Sequence, residues 1–405
     1  MTLVTDLELP AIDLTSGELT GDGYHQRLAE LRQQGWLASS PLAFIVLDRE
    51  AGEFFLRSRS ASFPGREIAD IFGVTSGPLR EQVDANILNQ QGDRHRRLRA
   101  LVGPAFTPRA ADRWRPAMRG FLGQLWAAIG PATSCDFVAA LAKPYPSLTI
   151  AAVLGVPAED APKLHEWSSL VQRQFDVQAM ASQVPEIERA VVELQGYVED
   201  LLRQRRAEPG EDLITALLAA EDSGDRLSHD ECVNLVLNVI AGGIDTTQAQ
   251  LSHAMRLFAA HPAQWELLRQ QPDLVPRAVD EVVRAEPITP FTARILTGEL
   301  EHRGVTFPAG TIVAICAERA NREQDGGEEF DITAERNGRL LTFGAGPHFC
   351  LGSNLARAEL EEALAFLAPR MPGLAPAGQA RLGGVEGIYG IDELPLSWTP
   401  AGPDR

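Results

Sequence analysis

Cys350 stands in the stretch Leu340–Arg357 (LLTFGAGPHFCLGSNLAR), where an apolar, strand-like piece runs into a glycine loop and a helix leaves at about Ser353. Gly344 and Gly346 have the spacing of a dinucleotide-binding GxGxxG loop. Phe349 occupies the third glycine's place, however, and Pro347 removes a backbone donor that a phosphate would need. A cysteine at a helix N-terminus meets unpaired N–H groups and the positive end of the helix dipole, both of which favour a thiolate. Gly344, Gly346 and Gly352 would let the backbone pass under a flat ligand, with Phe343 and Phe349 shielding the sulfur. Two other readings are an inert buried cysteine and a nucleophile with His348, two residues away, as its base.

The second chemically pointed stretch is Val239–Gln248, VIAGGIDTTQ. It falls inside an otherwise regular helical pattern that starts with an S-x-x-E capping box at Ser228 and Glu231, behind Leu227, and stops at His261-Pro262. Gly242 and Gly243 each cost about 1 kcal/mol relative to alanine in a helix interior, and Asp245, Thr246 and Thr247 follow where the helix should be buried. A close helix crossing explains the glycines. A local opening of the helix beside a bulky ligand explains the glycines and the carboxylate together, and threonine hydroxyls bonding back to the preceding turn would assist the bend.

The elements that must position these residues are mainly helical. Apolar periodicity predicts helices at roughly 94–130, 146–175, 185–206, 229–260, 273–286 and 353–368, strands at 40–48 and within 294–317, and a hairpin at 386–398. The expected fold is therefore mainly α with a minor β portion, one continuous domain over 1–405 without a fused redox module. The chain has 405 residues and a net charge of −18, which argues against a nucleic-acid surface. No apolar run reaches the roughly 18–20 residues needed to cross a bilayer, and the N-terminus does not read as a signal peptide, so a cytoplasmic protein is expected. Cys135, Cys232, Cys316 and Cys350 form no CxxC pair, against a disulfide framework or structural zinc. Arg94, Arg96, Arg97, Arg99, Arg109, Arg113, Arg115 and Arg119 run against the acidic average and read either as a solvated face or as a docking patch for an acidic partner.

Phe343-Gly-Ala-Gly-Pro-His-Phe-Cys350-Leu-Gly resembles the FGxGxxxCxG loop of cytochrome P-450 haem-thiolate monooxygenases at every defining position. Three further motifs follow the family's order: His95-Arg96-Arg97-Leu98-Arg99 resembles its HxxxR helix, Ala241–Thr246 its oxygen-activating helix, and Glu281-Val-Val-Arg284 its ExxR pair. The resemblance spans roughly residues 40 to 400 and is closest to soluble bacterial members, with a long central helix crossing the molecule and haem between it and the cysteine loop. The chain departs from the pattern after Asn321-Arg322, where Ala334 replaces the arginine of FDxxR and Arg336 could stand in as partner to Glu281. Gly92-Asp93-Arg94 also replaces the usual Asp-Pro-Pro.

The resemblance implies haem b, with Cys350 as axial ligand to the iron, and His95, Arg99, Arg294 and His348 on the propionates. It places Phe343, Gly344, Gly352, Ala241 and Gly242 against the haem, makes Asp245 and Thr246 a proton relay, and gives Glu281 and Arg284 a structural role. It also implies ferredoxin and ferredoxin reductase as separate electron donors, with O2 as co-substrate. Phe72, Ile87, Phe175, Ile288, Phe291, Ile388 and Tyr389 fall in the family's substrate-lining regions and suggest an apolar, medium-sized molecule of bacterial secondary, terpenoid or steroid metabolism. The expected reaction is insertion of one oxygen atom at a C–H bond, by hydroxylation or epoxidation. A peroxide-driven haem-thiolate enzyme and a non-catalytic haem sensor are the alternatives.

Overall fold

Proline and glycine decide where the helices stop. The computed structural model describes residues 2–16, 19–222, 227–323, 326–336 and 338–400, so the shortened segment around 323–340 is described apart from residues 324, 325 and 337. The helices that shape the site are, in chain order, α1 (Gly21–Gln34), α2 (Arg49–Arg57), α3 (Gly92–Val102), α4 (Arg115–Ile129), α5 (Pro144–Leu154) and α6 (Ala161–Gln172). They continue with α7 (Val184–Ala207), α8 (His229–Gly243), α9 (Asp245–Ala260), α10 (Val275–Ala285), α11 (Ala317–Arg322) and α12 (Ser353–Leu367). The fold is mostly helical with small sheets, as expected.

Two predicted helices are shorter than their periodicity suggested. The 94–130 pattern breaks into α3, a tight turn at Gly103–Phe106, the short helix Pro108–Asp112, and α4. Pro104, Pro108 and Pro116 sit at the first turns of the last three pieces, where a missing N–H costs nothing. The 146–175 pattern ends α5 at a left-handed Gly155 (φ 74°), followed by Pro157, and resumes as α6. By contrast, the predicted 185–206, 273–286 and 353–368 helices match α7, α10 and α12 within a few residues.

The principal sheet has five strands: β1 (Leu37–Ser39), β2 (Phe44–Val46), β3 (Ala61–Ser62), β4 (Phe291–Leu296) and β5 (Ile312–Cys316), in the order β1-β2-β5-β4-β3. The single strand expected over 40–48 is thus reduced to β2. Ser40 turns the chain back on β1 through hydrogen bonds to Ala43, and Asp48 caps α2 by accepting from Ala51 N at 2.8 Å. The 386–398 hairpin does not form. Ile391–Glu393 pairs with Arg381–Leu382, while Pro395–Ser397 pairs with Ala375–Pro376 and Ser134–Asp136, so the tail closes two separate small sheets.

The long central helix is two helices. Ser228 and Glu231 form both halves of the capping box that starts α8, and the chain runs helically to Gly243. At Ile244 the helix is interrupted, although its backbone stays in the right-handed α region (φ −97°, ψ −68°), before α9 begins at Asp245. Most of the apolar core packs around this pair, with Val233, Val236, Ile240, Leu251, Met255 and Phe258 all buried. Among the described residues no helix is long and apolar enough to cross a membrane.

Candidate active site

Cys350 is positioned from two sides. Its own N–H donates to Phe343 O at 2.9 Å, which closes the glycine loop, and Arg99 from α3 donates to Phe349 O at 2.6 Å. Gly346 (φ 72°) is required by the neighbouring chain, since a Cβ there would lie 2.6 Å from Leu56 O at the end of α2. Gly344 also takes a positive φ of 69°, whereas Gly352 does not and is simply the residue before α12. The N–H groups of Gly352 and Ser353 and the Arg99 guanidinium favour the thiolate, while desolvation by the surrounding fold pushes the thiol above its ordinary pKa, although Cys350 is exposed toward the cavity.

Cys350 opens onto a cavity of about 390 Å³ enclosed by α3, α8, α9, α12, β4 and the cysteine loop. His95, Arg99, Arg294, Phe343, Gly344, His348, Gly352, Gly242 and Thr246 line it, as do Ile87 and Ile288. Four basic side chains gather at one edge. Arg294 comes from β4 and is 3% exposed, with the backbone carbonyl of Ala293 at 2.8 Å. Burial lowers its pKa to about 10. His95 and His348 lie ring against ring at 4.2 Å. Burial, then the charges of His95, Arg294 and Arg99, hold His348 down to about 3, and burial and Arg99 lower His95. The buried Nε2 of His348 has no hydrogen-bond partner among the described residues, nor does any carboxylate pair with Arg99 or Arg294. A buried and a half-buried guanidinium with no carboxylate partner among the described residues, beside two imidazoles held neutral yet able to donate a hydrogen bond, suit an anionic ligand.

The opposite wall is the α8–α9 break, where the two adjacent glycines differ. A Cβ on Gly243 would come within 2.5 Å of Ile150 Cδ1 on α5, so this glycine permits a helix crossing. A Cβ on Gly242 would meet nothing within 4 Å and would project into open space. Thr246 Oγ1 donates back to Gly242 O at 2.7 Å, the back-bond expected of a mid-helix threonine.

Several expected residues lie outside the cavity. Asp245 is turned toward α6, where Ser168 and Ser169 both donate to its carboxylate, the latter at 2.5 Å, and His165 Nε2 stands 3.8 Å away. Ala241 is buried behind the wall, its carbonyl accepting from Gln172 Nε2 at 2.6 Å. Phe291 sits on the face of β4 opposite Thr292 and Arg294, as a period of two demands, and packs into another core cluster. Phe175 is one layer back, its ring 5.7 Å from cavity-lining Phe63, and Phe72 packs against the main core. Ile388 does not line the cavity, and Tyr389 is a buried scaffold residue whose N–H donates to Ile288 O at 2.8 Å.

Residues that periodicity did not single out complete the lining, among them Phe63, Leu88, Leu235, Asn238, Thr289 and Thr292. Glu359 on α12 is another. It is fully enclosed with Thr247 Oγ1 3.3 Å from its Oε2 and its Oε1 unpartnered among the described residues, and burial raises its pKa well above the carboxylate range.

The ExxR residues lie beneath the cysteine loop. Arg284 Nε and Nη2 each donate to Glu281 at 2.7 Å, and both residues are buried. Arg336 reaches Glu281 at 3.3 Å, taking the place that Ala334 leaves empty. The arginine-rich 94–119 region is largely self-neutralised: Arg94 and Arg97 pair with Glu231, Arg96 with Asp93, Arg115 with Glu361 and Glu362, and Arg119 with Glu362.

The sequence profile described as Cytochrome P450 matches residues 43–367. The chain belongs to that family. It is 34% identical over 398 residues to luteothin monooxygenase of Streptomyces thioluteus, covering 97% of each chain. It is also 34% identical to mycinamicin IV hydroxylase/epoxidase of Micromonospora griseorubida over 78% of this chain and 81% of that one. The crystal structure of CalO2 superposes with a TM-score of 0.90 at 33% identity, covering 97% of this chain and all of the other. The chain is accordingly a P450 monooxygenase, and family membership implies a haem cofactor.

Proposed function

We propose that this P450 inserts one oxygen atom of O2 into a C–H bond, or across a C=C bond, of an apolar, medium-sized secondary metabolite. The group that fits the cavity is haem b, with Cys350 as axial ligand and His95, Arg99, Arg294 and His348 on the two propionates. The observation that carries this reading is the pairing, across one cavity, of a cysteine thiol with four basic side chains that have no carboxylate partner among the described residues. When bound, a thiolate-ligated haem supplies the oxidising chemistry, because the sulfur's electron donation favours O–O cleavage.

The chain's own residues then bind, orient and move protons. Gly242 leaves room at the centre of the distal wall, and Thr246, whose Oγ1 donates to Gly242 O at 2.7 Å, lines the cavity one turn away. Asp245 holds a carboxylate one residue away, on the α6 side. In this reading Thr246 passes protons into the cavity and Asp245 receives them from the α6 surface, by way of Ser169. Ile87, Leu88, Leu235, Val239 and Ile288 exclude water and hold apolar substrate, while Asn238 and Thr289 give it a polar anchor. The luteothin and mycinamicin enzymes support a substrate from secondary metabolism.

Electrons come from ferredoxin and its reductase, as cytoplasmic partners. Ion pairing of the 94–119 region shifts the expected docking contact toward Arg109 and Arg113 and toward Arg339 in the open cleft of about 730 Å³ beside Phe343 and Phe349, where Arg277 and Arg357 pair with Glu335 and Asp280. Replacing Thr246 by alanine tests the relay. Haem content and oxygen consumption should persist, with reducing equivalents diverted to peroxide; unchanged coupling of oxygen use to product would contradict the role of Thr246.

A further inference from the structure

Helix α1 contributes no side chain to the cavity, yet it holds the chain segment that builds one of its walls. Ile288 and Thr289 line the cavity, and the residues flanking them are gripped from outside. At the first turn of α1, Gly21 N donates to Tyr389 Oη at 2.7 Å, and Tyr389 N in turn donates to Ile288 O at 2.8 Å. One turn further along α1, His25 Nε2 lies 3.1 Å from Glu286 Oε2, and its Nδ1 lies 2.7 Å from Glu318 Oε1 on α11. Both ring nitrogens therefore face carboxylates, which the doubly protonated imidazolium satisfies best, with Arg322 Nη2 a longer 3.5 Å from Nδ1.

Glu286 connects this grip to the cavity. Its carboxylate also accepts from Arg256 Nη2 of α9 at 2.6 Å, and its backbone carbonyl accepts from Gln250 Nε2 at 3.0 Å, Gln250 being a cavity-lining residue. Pro287 then leads directly into Ile288. On the other side, Arg322 donates to Ala285 O at 2.6 Å and stands by Glu318, which Arg319 also pairs. Glu286 is 1% and Glu318 0% exposed, so losing the imidazolium withdraws one of the two cations that hold Glu286 and leaves it with Arg256 alone, while Glu318 keeps Arg319 and Arg322.

We propose that His25 is a positioning residue for substrate binding, bracing the Ile288–Thr289 wall through Glu286 in its imidazolium form. The groups facing it are Tyr24 from α1, Glu286 at the end of α10, Glu318, Arg319 and Arg322 from α11, Arg256 and His253 from α9, and Tyr389 from the C-terminal turn. Burial opposes protonation of His25, but the hydrogen bonds and charges of Glu286 and Glu318 win and raise it to about 9. Because its folded pKa lies above the ordinary value, the brace is complete below about pH 6.5. It persists at neutral pH and is lost as pH rises through about 9.

The inference rests on the haem-monooxygenase reading, and its test separates the two. The haem-loaded protein is titrated with 4-phenylimidazole, a neutral aryl probe that binds the iron and fills the space beside it, from pH 7 to 10. In the wild type, affinity should weaken roughly tenfold, the factor that one unit of pKa coupling carries, with its midpoint near pH 9. His25→Gln, which keeps hydrogen-bonding capacity without the charge, should bind weakly at pH 7 and show no such midpoint. The hydrogen-exchange protection factors of residues 286–292 in the wild type, with the base-catalysed intrinsic rate divided out, should fall with a midpoint near pH 9, a readout independent of any variant. Identical affinity and pH profile in His25→Gln, or protection factors that stay flat across pH 9, would overturn the proposal. Loss of the thiolate-ligated carbon-monoxide spectrum in wild type would instead refute the haem reading on which it stands.

Discussion

Gly242 and Gly243 are neighbours with the same side chain and opposite duties. At Gly243 a methyl group would collide with buried Ile150, and overpacking of this kind costs about 1–3 kcal/mol. At Gly242 a methyl group meets open cavity, and alanine gains up to about 1 kcal/mol of helix propensity over glycine. Gly243→Ala should therefore lower the urea midpoint of the ligand-free protein, and Gly242→Ala should leave it unchanged or raise it while weakening binding of cavity ligands. The motif announced that something bulky interrupts the helix, yet spacing could not divide the labour between the two glycines, because that depends on α5 packing against one of them. Asp245 shows the same limit. Its presence in the motif was legible, but its turn toward Ser168 and Ser169 depends on where α6 lies. Asp245→Asn should slow turnover with haem content retained, and an unaltered rate would remove Asp245 from proton delivery.

Elements were legible where local chemistry dictates them. The capping box at Ser228 and Glu231, the stop at His261-Pro262 and the apolar face of α10 all appear where the sequence pattern places them. Long apolar patterns containing proline were misread as single helices because periodicity continues across a break that Pro104, Pro108 or Pro157 imposes. Strand register was the harder problem. Phe291 looked like a substrate contact by region, whereas alternation along β4 gives the cavity to Thr292 and Arg294. The α10 pair Glu281–Arg284 holds the segment under the cysteine loop, with Arg284 also donating to Gly327 O and Glu329 O. Glu281→Ala strands a buried guanidinium and should cost about 3–5 kcal/mol, seen as a lowered urea midpoint. Arg336→Ala should cost clearly less, since Arg336 supplies a secondary contact at 3.3 Å. Equal losses would mean that Arg336 is a full third member of the pair.

At the scale of the whole molecule, α8–α9, α12 and the cysteine loop enclose a site whose charge is uneven. Basic groups gather inside one edge of the cavity, and the open cleft beyond Phe343 and Phe349 carries Arg339 beside the pairs Arg277–Glu335 and Arg357–Asp280, in a chain of net charge −18. An acidic electron donor would be steered to such a face, so turnover with ferredoxin in excess should fall with rising ionic strength. Independence from salt would argue for a different docking mode. The arginine count in 94–119 was legible but its meaning was not, because the carboxylates that neutralise it come from α8 and α12, far away in sequence. The central claim is that Cys350 donates its sulfur to a haem iron in this cavity. The most direct test is the carbon-monoxide difference spectrum of the reduced protein beside that of Cys350→Ala. The wild type should give the long-wavelength Soret band of thiolate ligation and the variant should lose it. A wild type without that band, or a variant that keeps it, would contradict the assignment.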